Sequence, residues 1–272
     1  MTGHSRVERH PMVDWHPSDG QKSPSRIARQ LPNAITALAL CSGLISVRFS
    51  IEKEFNYALA AIVASAVLDG LDGRLARRLH VSSRFGAEFD SLADFLSFGV
   101  APIVLLFFWA DDAITAPISL YLVAFALGSA IRLARFNAQS DPVEAAWRKA
   151  YFTGMPTPSA ALAVLLPVSI TVPTPSAMQW IGLYTLMIAL LMVSRIPTFS
   201  GKKWAIGSSG LAVTGLFGIV AALSVVVVLY PRELLVTLTL LYLCSIPVSW
   251  FNFRHDQRVN DSVPVDTWRR WI

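Results

Sequence analysis

The sequence predicts an all-α fold, a polytopic membrane helix bundle of about eight transmembrane helices, and three observations carry that expectation. Of the 272 residues, 54% are apolar and only 15% charged, against about 25% charged residues in an ordinary soluble domain. Mean hydropathy is +0.51. The apolar residues also fall in long blocks, each near the roughly 20 residues a helix needs to cross the hydrocarbon core. An open strand cannot satisfy its backbone polar groups in lipid, and the period-2 alternation of a barrel is absent, so each block reads as a helix. The composition excludes a disordered chain, a disulfide scaffold and collagen. A net charge of +5 raises nucleic acid as a partner. In a membrane chain, however, the placement of Lys and Arg along the loops says more than their sum, and no nucleic-acid partner is expected.

Residues 1–25 are polar, interrupted by Pro11, Pro17 and Pro24, and read as a disordered cytoplasmic tail. His4, His10 and His16 match no metal-ligand spacing, and no apolar run near Met1 marks a secretory signal. Arg26 and Arg29 then lead into eight apolar blocks at 33–49, 57–79, 86–110, 114–136, 156–174, 178–195, 207–230 and 233–251. They form a transmembrane catalytic domain over 26–251, followed by a cytoplasmic C-terminal tail, 252–272. Cys41 and Cys244 sit inside apolar blocks with no ligand spacing and read as buried small hydrophobes. Orientation follows from the basic residues: with a cytoplasmic N-terminus, 20 of the 23 lie on that side and only Arg48, Lys53 and Arg232 on the other. So uneven a split favours an even number of crossings with both termini in the cytoplasm, at the cell membrane.

Four acids cluster where the second and third blocks meet the cytoplasm: Asp69, Asp72, Asp90 and Asp94. Ionisable groups at membrane depth are costly and mark an ion path or a catalytic site. At 100° per residue, Asp69, Asp72, Gly73 and Ala76 share one helical face, and Gly86, Asp90, Asp94 and Ser97 share a face of the next helix. The two acidic faces can therefore meet across one short turn. Four carboxylates in one pocket repel one another unless cations sit between them, and an oxygen-only ligand set suits two hard divalent ions, Mg²⁺ or Mn²⁺. Gly70, Gly73, Ala76, Gly86 and Ala87 leave room for a ligand to approach the backbone, and Arg77 can meet a phosphate. The same glycines also allow close helix packing.

Written out, the region is Asp69-x2-Asp72-Gly73-x2-Ala76-Arg77-x8-Gly86-x3-Asp90-x3-Asp94. It resembles the signature of the CDP-alcohol phosphotransferases at every fixed position. The resemblance implies a six-helix core plus two further helices, with Asp69, Asp72, Asp90 and Asp94 as metal ligands and Asp94 also as general base. It implies too that Asp69, Gly73, Ala76, Arg77 and Gly86 bind the CDP part of the donor, and that the protein is a homodimer. Flanking segments narrow the branch. The runs Leu31 to Thr36, Phe89 to Pro102, Arg132-Leu133-Ala134-Arg135-Phe136-Asn137 and Phe152-x-Gly154-x-Pro156-x-Pro158 are similar to the integral-membrane phosphatidylserine synthases.

That branch implies attack of the L-serine hydroxyl on CDP-diacylglycerol with release of CMP. Its acceptor needs an anion site for the serine carboxylate, for which Arg132, Arg135 and Arg195, with Asn137, are the candidates. Each Arg reads equally well as a snorkelling positive-inside anchor. Two rivals stay open. One is a family member with glycerol 3-phosphate or an inositol phosphate as acceptor; the other is a transporter using the acids as an ion site. Transporters favour midplane acids and internal repeats, whereas these acids lie near the membrane edge and no repeat is found.

Overall fold

In the computed structural model the described residues are 26–79, 81, 83–138, 151–194, 196–199, 226–227 and 229–261, the side chains of 26–29, 77–79, 151–153, 197, 199 and 255–261 excepted. The tail 1–25, Arg195 and most of the seventh apolar block lie outside them.

Helices dominate. In chain order they are α1 (Arg26–Ile51), α2 (Phe55–Leu79), α3 (Arg84–Asp94), α4 (Ala101–Ala110), α5 (Ala116–Ala138), α6 (Thr157–Val164), α7 (Leu166–Ile170), α8 (Pro175–Val193) and α9 (Pro231–Asp261). Between α3 and α4 the chain runs on without a break as a π-helical stretch, Phe95–Val100. Five helical segments among the described residues are long and apolar enough to cross a membrane: Gln30–Ile51, Arg84–Ala113, Ala116–Ala138, Pro175–Val193 and Pro231–Arg254. The 25-residue α2 packs along α1 and carries Asp69, Asp72, Arg74, Arg77 and Arg78 in its second half. The protein is therefore a multi-pass membrane helix bundle.

The interior is built where helices cross. Leu59 and Ile62 of α2, Leu105 and Leu106 of α4, Phe125 of α5, Ala160, Ala163 and Val164 of α6, and Ile188 and Met192 of α8 are buried together. Small residues on α6 let its neighbours approach closely, which is how helices gain contact when lipid competes for every apolar surface. Outward faces stay apolar: Leu44, Leu120, Leu127, Leu190, Leu241 and Phe251 are exposed, as lipid-facing side chains should be. Tyr57 and Trp180 are exposed near the starts of α2 and α8, as aromatic anchors of one membrane interface are. Beside them the tips of two loops are joined by an ion pair, Lys53 Nζ to Asp111 Oδ2 at 2.8 Å, with both residues in left-handed backbone.

Three details differ from the sequence reading. Cys41 and Cys244 are exposed, not buried. An apolar block in a membrane protein has an outer face as apolar as its inner one, so apolar neighbours do not signal interior position. The fifth block is no single crossing helix: α6 and α7 meet at Leu165, and Thr157–Ile170 together span only about 21 Å at 1.5 Å per residue, short of the roughly 30 Å core. Pro167 explains the break, since its ring takes the donor away from the carbonyl four residues back, Ala163. The Tyr184 hydroxyl replaces it, donating to the Ala163 carbonyl at 2.8 Å. Finally, two three-residue strands, β1 (Tyr151–Thr153) and β2 (Pro197–Phe199), pair antiparallel with Phe152 opposite Thr198. Gly154 follows β1 at φ +79, where a Cβ would meet the Ser194 carbonyl at 2.8 Å, so only glycine fits that turn.

Candidate active site

The four acids come together. Asp69 and Asp72 stand on α2, Asp90 and Asp94 on α3, and the two helices are joined by the short turn around Val81 and Ser83. Ser83 caps α3, its hydroxyl accepting from the Gly86 N–H at 3.0 Å, which fixes where that helix begins. One ligand oxygen from each of Asp69, Asp72 and Asp90 lies within 4.8 Å of the others. Asp94, one turn beyond Asp90, faces Asp69 at hydrogen-bonding range. Asp72 is 4% exposed, and the lysines and arginines in the described ion pairs are not its partners.

Such a cluster fits a cation by its donor set. All candidate ligands are carboxylate oxygens, they converge from two helices, and mutual repulsion in a desolvated site is relieved only by positive charge or shared protons. Oxygen-only coordination favours hard divalent ions over the softer transition metals.

Residues that the sequence reading left without a role complete the setting. Thr36 of α1, 5% exposed, donates its hydroxyl to Asp72 Oδ2 at 2.7 Å. Its neighbour Asn33 approaches α3 so closely that a Cβ on Gly86 would lie 2.9 Å from Asn33 Oδ1. A side chain at Gly86 would displace the Asn33 amide and crowd the Ser83 cap, so the glycine keeps both in place where α1 meets α3. The signal for Thr36 and Asn33 was within the segment Leu31 to Thr36, but nothing in its spacing says that it faces the acids. Ser97, expected on the acidic face, instead packs on α1, its Oγ 3.5 Å from the Ala39 carbonyl. The π-helical stretch that starts at Phe95 shifts the phase of everything after Asp94.

Of the predicted donor-side residues, Gly73 and Ala76 are half-buried on α2 close behind Asp72, and Arg77 is on the same helix with its side chain outside the described residues. On the acceptor side, Arg132 of α5 is buried, donating from Nη1 to Thr157 Oγ1 at 3.1 Å, and stands within electrostatic reach of Asp94. Arg135 Nη1 donates to the Val193 carbonyl at 2.7 Å, tying α5 to the end of α8. Asn137 joins α5 to α3 through the Ser91 hydroxyl, its Nδ2 3.0 Å away. Arg195 lies outside the described residues.

Residues 29–197 match the family model described as CDP-alcohol phosphatidyltransferase. The chain is 37% identical over 231 residues to a CDP-diacylglycerol–serine O-phosphatidyltransferase of Mycobacterium leprae, a match covering 82% of this chain and 75% of that protein. A protein of the same description from Helicobacter pylori is 38% identical over 186 residues, 64% of this chain and 74% of its own. An archaetidylserine synthase of Methanothermobacter thermautotrophicus is 32% identical over 142 residues, covering 49% of this chain and 55% of that one.

Proposed function

The chain belongs to the CDP-alcohol phosphatidyltransferase family, and from that premise we propose that it is a phosphatidylserine synthase. It transfers the phosphatidyl group of CDP-diacylglycerol to the hydroxyl of L-serine and releases CMP. The observation that carries the reading is the meeting of Asp69, Asp72 and Asp90 within 4.8 Å at one end of a membrane helix pair, with Asp94 against them. A lipid-linked pyrophosphate and a water-soluble alcohol can both reach that end.

Asp69, Asp72 and Asp90, with Asp94, would hold two divalent cations, Mg²⁺ or Mn²⁺, and when bound these would offset the pyrophosphate charge and make CMP a better leaving group. Gly73, Ala76 and Gly86, small and on the facing helices, let the cytidine nucleotide approach the backbone, with Arg77 beside the phosphates and Asp69 at the same pocket. Asp94 takes the serine proton as the serine oxygen bonds to the β-phosphorus and the bond to the CMP oxygen breaks. A carboxylate is a weak base toward an alcohol, so holding the two substrates in line supplies much of the rate. The acceptor side is the end of α5, where Arg132, Arg135 and Asn137 sit, with Arg195 after α8.

We place the site at the cytoplasmic face, with eight crossings, the fifth made by the broken pair α6–α7 together with the extended chain that follows it, both termini in the cytoplasm and the protein in the cell membrane as a homodimer. The split of 20 basic residues to 3 supports the orientation, and the family resemblance supports the dimer.

The deciding experiment offers the purified chain CDP-diacylglycerol with L-serine, glycerol 3-phosphate or inositol phosphate, and measures CMP. Serine-dependent release that stops with EDTA and returns with Mg²⁺ or Mn²⁺ is expected. Release with a phosphorylated acceptor and none with serine overturns the assignment.

A further inference from the structure

Beyond the acids, the described bundle holds two polar atoms that are buried without a partner and belong to side chains within electrostatic reach of each other. Arg132 is 9% exposed, and while its Nη1 reaches Thr157, its Nε has no hydrogen-bond partner. The hydroxyl of Tyr242, on α9, is sealed from solvent and likewise lacks a partner at hydrogen-bond distance. Its polar neighbours are Arg132 and Thr198, whose hydroxyl donates to the Gly154 carbonyl at 2.9 Å and whose oxygen, though able to accept, does not reach the phenol in hydrogen-bond geometry. Arg132 in turn lies within electrostatic reach of both Tyr242 and Asp94.

Leaving one donor unpaired in a dry interior is costly, and leaving an arginine N–H and a phenol unpaired within electrostatic reach of each other on different helices is costlier. The pattern makes sense when a ligand supplies the missing acceptors. That ligand must bring negative charge, because Arg132 is a buried cation, and at least two acceptor oxygens, one for each orphan donor. A carboxylate has both. Serine adds the right reach: its carboxylate and its hydroxyl are on adjacent carbons, so an acid group held at Arg132 leaves the hydroxyl turned toward Asp94.

We propose that Arg132, Tyr242 and Thr157 form the subsite for the acceptor's carboxylate, so that α9 takes part in choosing the acceptor although the family model ends before it, at residue 197. The inference rests on the serine reading above. Thr157, accepting from Arg132, fixes the guanidinium plane and keeps its own hydroxyl proton to give. Arg132 carries the charge. Tyr242 supplies a neutral donor that tells a carboxylate from a bare methylene hydrogen, which is the difference between serine and ethanolamine.

The test uses the full chain in lipid vesicles and compares wild type with Tyr242→Phe, which removes one oxygen and leaves the ring. KM and kcat are measured for L-serine and for ethanolamine, and CDP-diacylglycerol binding is measured separately. The expected result is a serine KM raised about tenfold, an ethanolamine KM unchanged and the serine-to-ethanolamine preference lowered about tenfold, with donor affinity as in wild type. An unchanged serine KM and preference overturns the proposal. So does a parallel loss for both alcohols and for donor binding, which marks a packing role. Arg132→Lys, which keeps charge but loses the fork, is expected to lower the same preference further; a Lys variant with wild-type preference counts against it. Wild-type protein that ignores serine altogether sinks the functional assignment itself, before either variant is made.

Discussion

Asp72 is nearly closed off from solvent and has one described side-chain donor, the Thr36 hydroxyl. Neutral hydrogen bonds from Thr36 and from the Gly73 N–H do not settle a desolvated carboxylate on their own, so in the proposed site a bound cation supplies the rest, with Thr36 orienting the free oxygen toward it. Thr36→Val keeps the shape and removes that hold. The concentration of Mg²⁺ or Mn²⁺ giving half-maximal CMP release is expected to rise about 10- to 100-fold, with Thr36→Ser near wild type. Asp94→Asn behaves differently: turnover falls by about 10² to 10⁴ at saturating metal, because what is lost there is the base. If both variants shift only the metal requirement, Asp94 is a ligand and no more. The acids themselves were readable from their spacing, since 3.6-residue periodicity puts each pair on one face. Thr36, Asn33, Thr157 and Tyr242 were not, because each reaches the site from a helix remote in sequence, and a spacing rule sees only one helix at a time.

Among the elements, the α6–α7 pair shows what hydropathy can and cannot say. A window average registers 156–174 as apolar but is blind to a missing backbone donor, and so the chain breaks at Leu165 inside what looked like one span. Tyr184 stands in for the lost donor. Replacing it by Phe removes that bond and leaves the Ala163 carbonyl only the weaker contact with the Leu165 N–H at the end of α6, at a cost of about 1 kcal/mol. A lower unfolding temperature in detergent is expected, with little change in activity at low temperature; an unaltered unfolding temperature means another group already serves that carbonyl. The remaining helices were legible because lipid leaves the chain no alternative. The β1–β2 ribbon was not, three residues being too few to show any period, and neither was the outward position of Cys41 and Cys244, since hydrophobicity alone carries no direction in a membrane.

For the whole molecule, the proposed orientation rests on the lopsided charge distribution, and the structure supplies two distinguishable ends on which to test it. The Lys53–Asp111 pair and the exposed Trp180 mark one end of the bundle, the acids the other. With Cys41 and Cys244 replaced, single cysteines at Asp112 and Pro175 are expected to react with an impermeant maleimide added to intact cells, and one at Glu88 only after the membrane is opened. Labelling of Glu88 from outside reverses the orientation and removes the cytoplasmic serine supply from the mechanism. The span that carries Asp90 and Asp94 crosses in one piece, yet its two halves keep different angular registers because of the turn at Phe95–Val100. Its length is consequently not a neutral quantity. Deleting a single residue there turns one half against the other by about 100°, as does any one-residue change in a helix. Either the acids leave their partners on α2, or Leu105 and Leu106 leave the core. Variation in this protein can therefore substitute side chains along that segment far more freely than it can add or remove one.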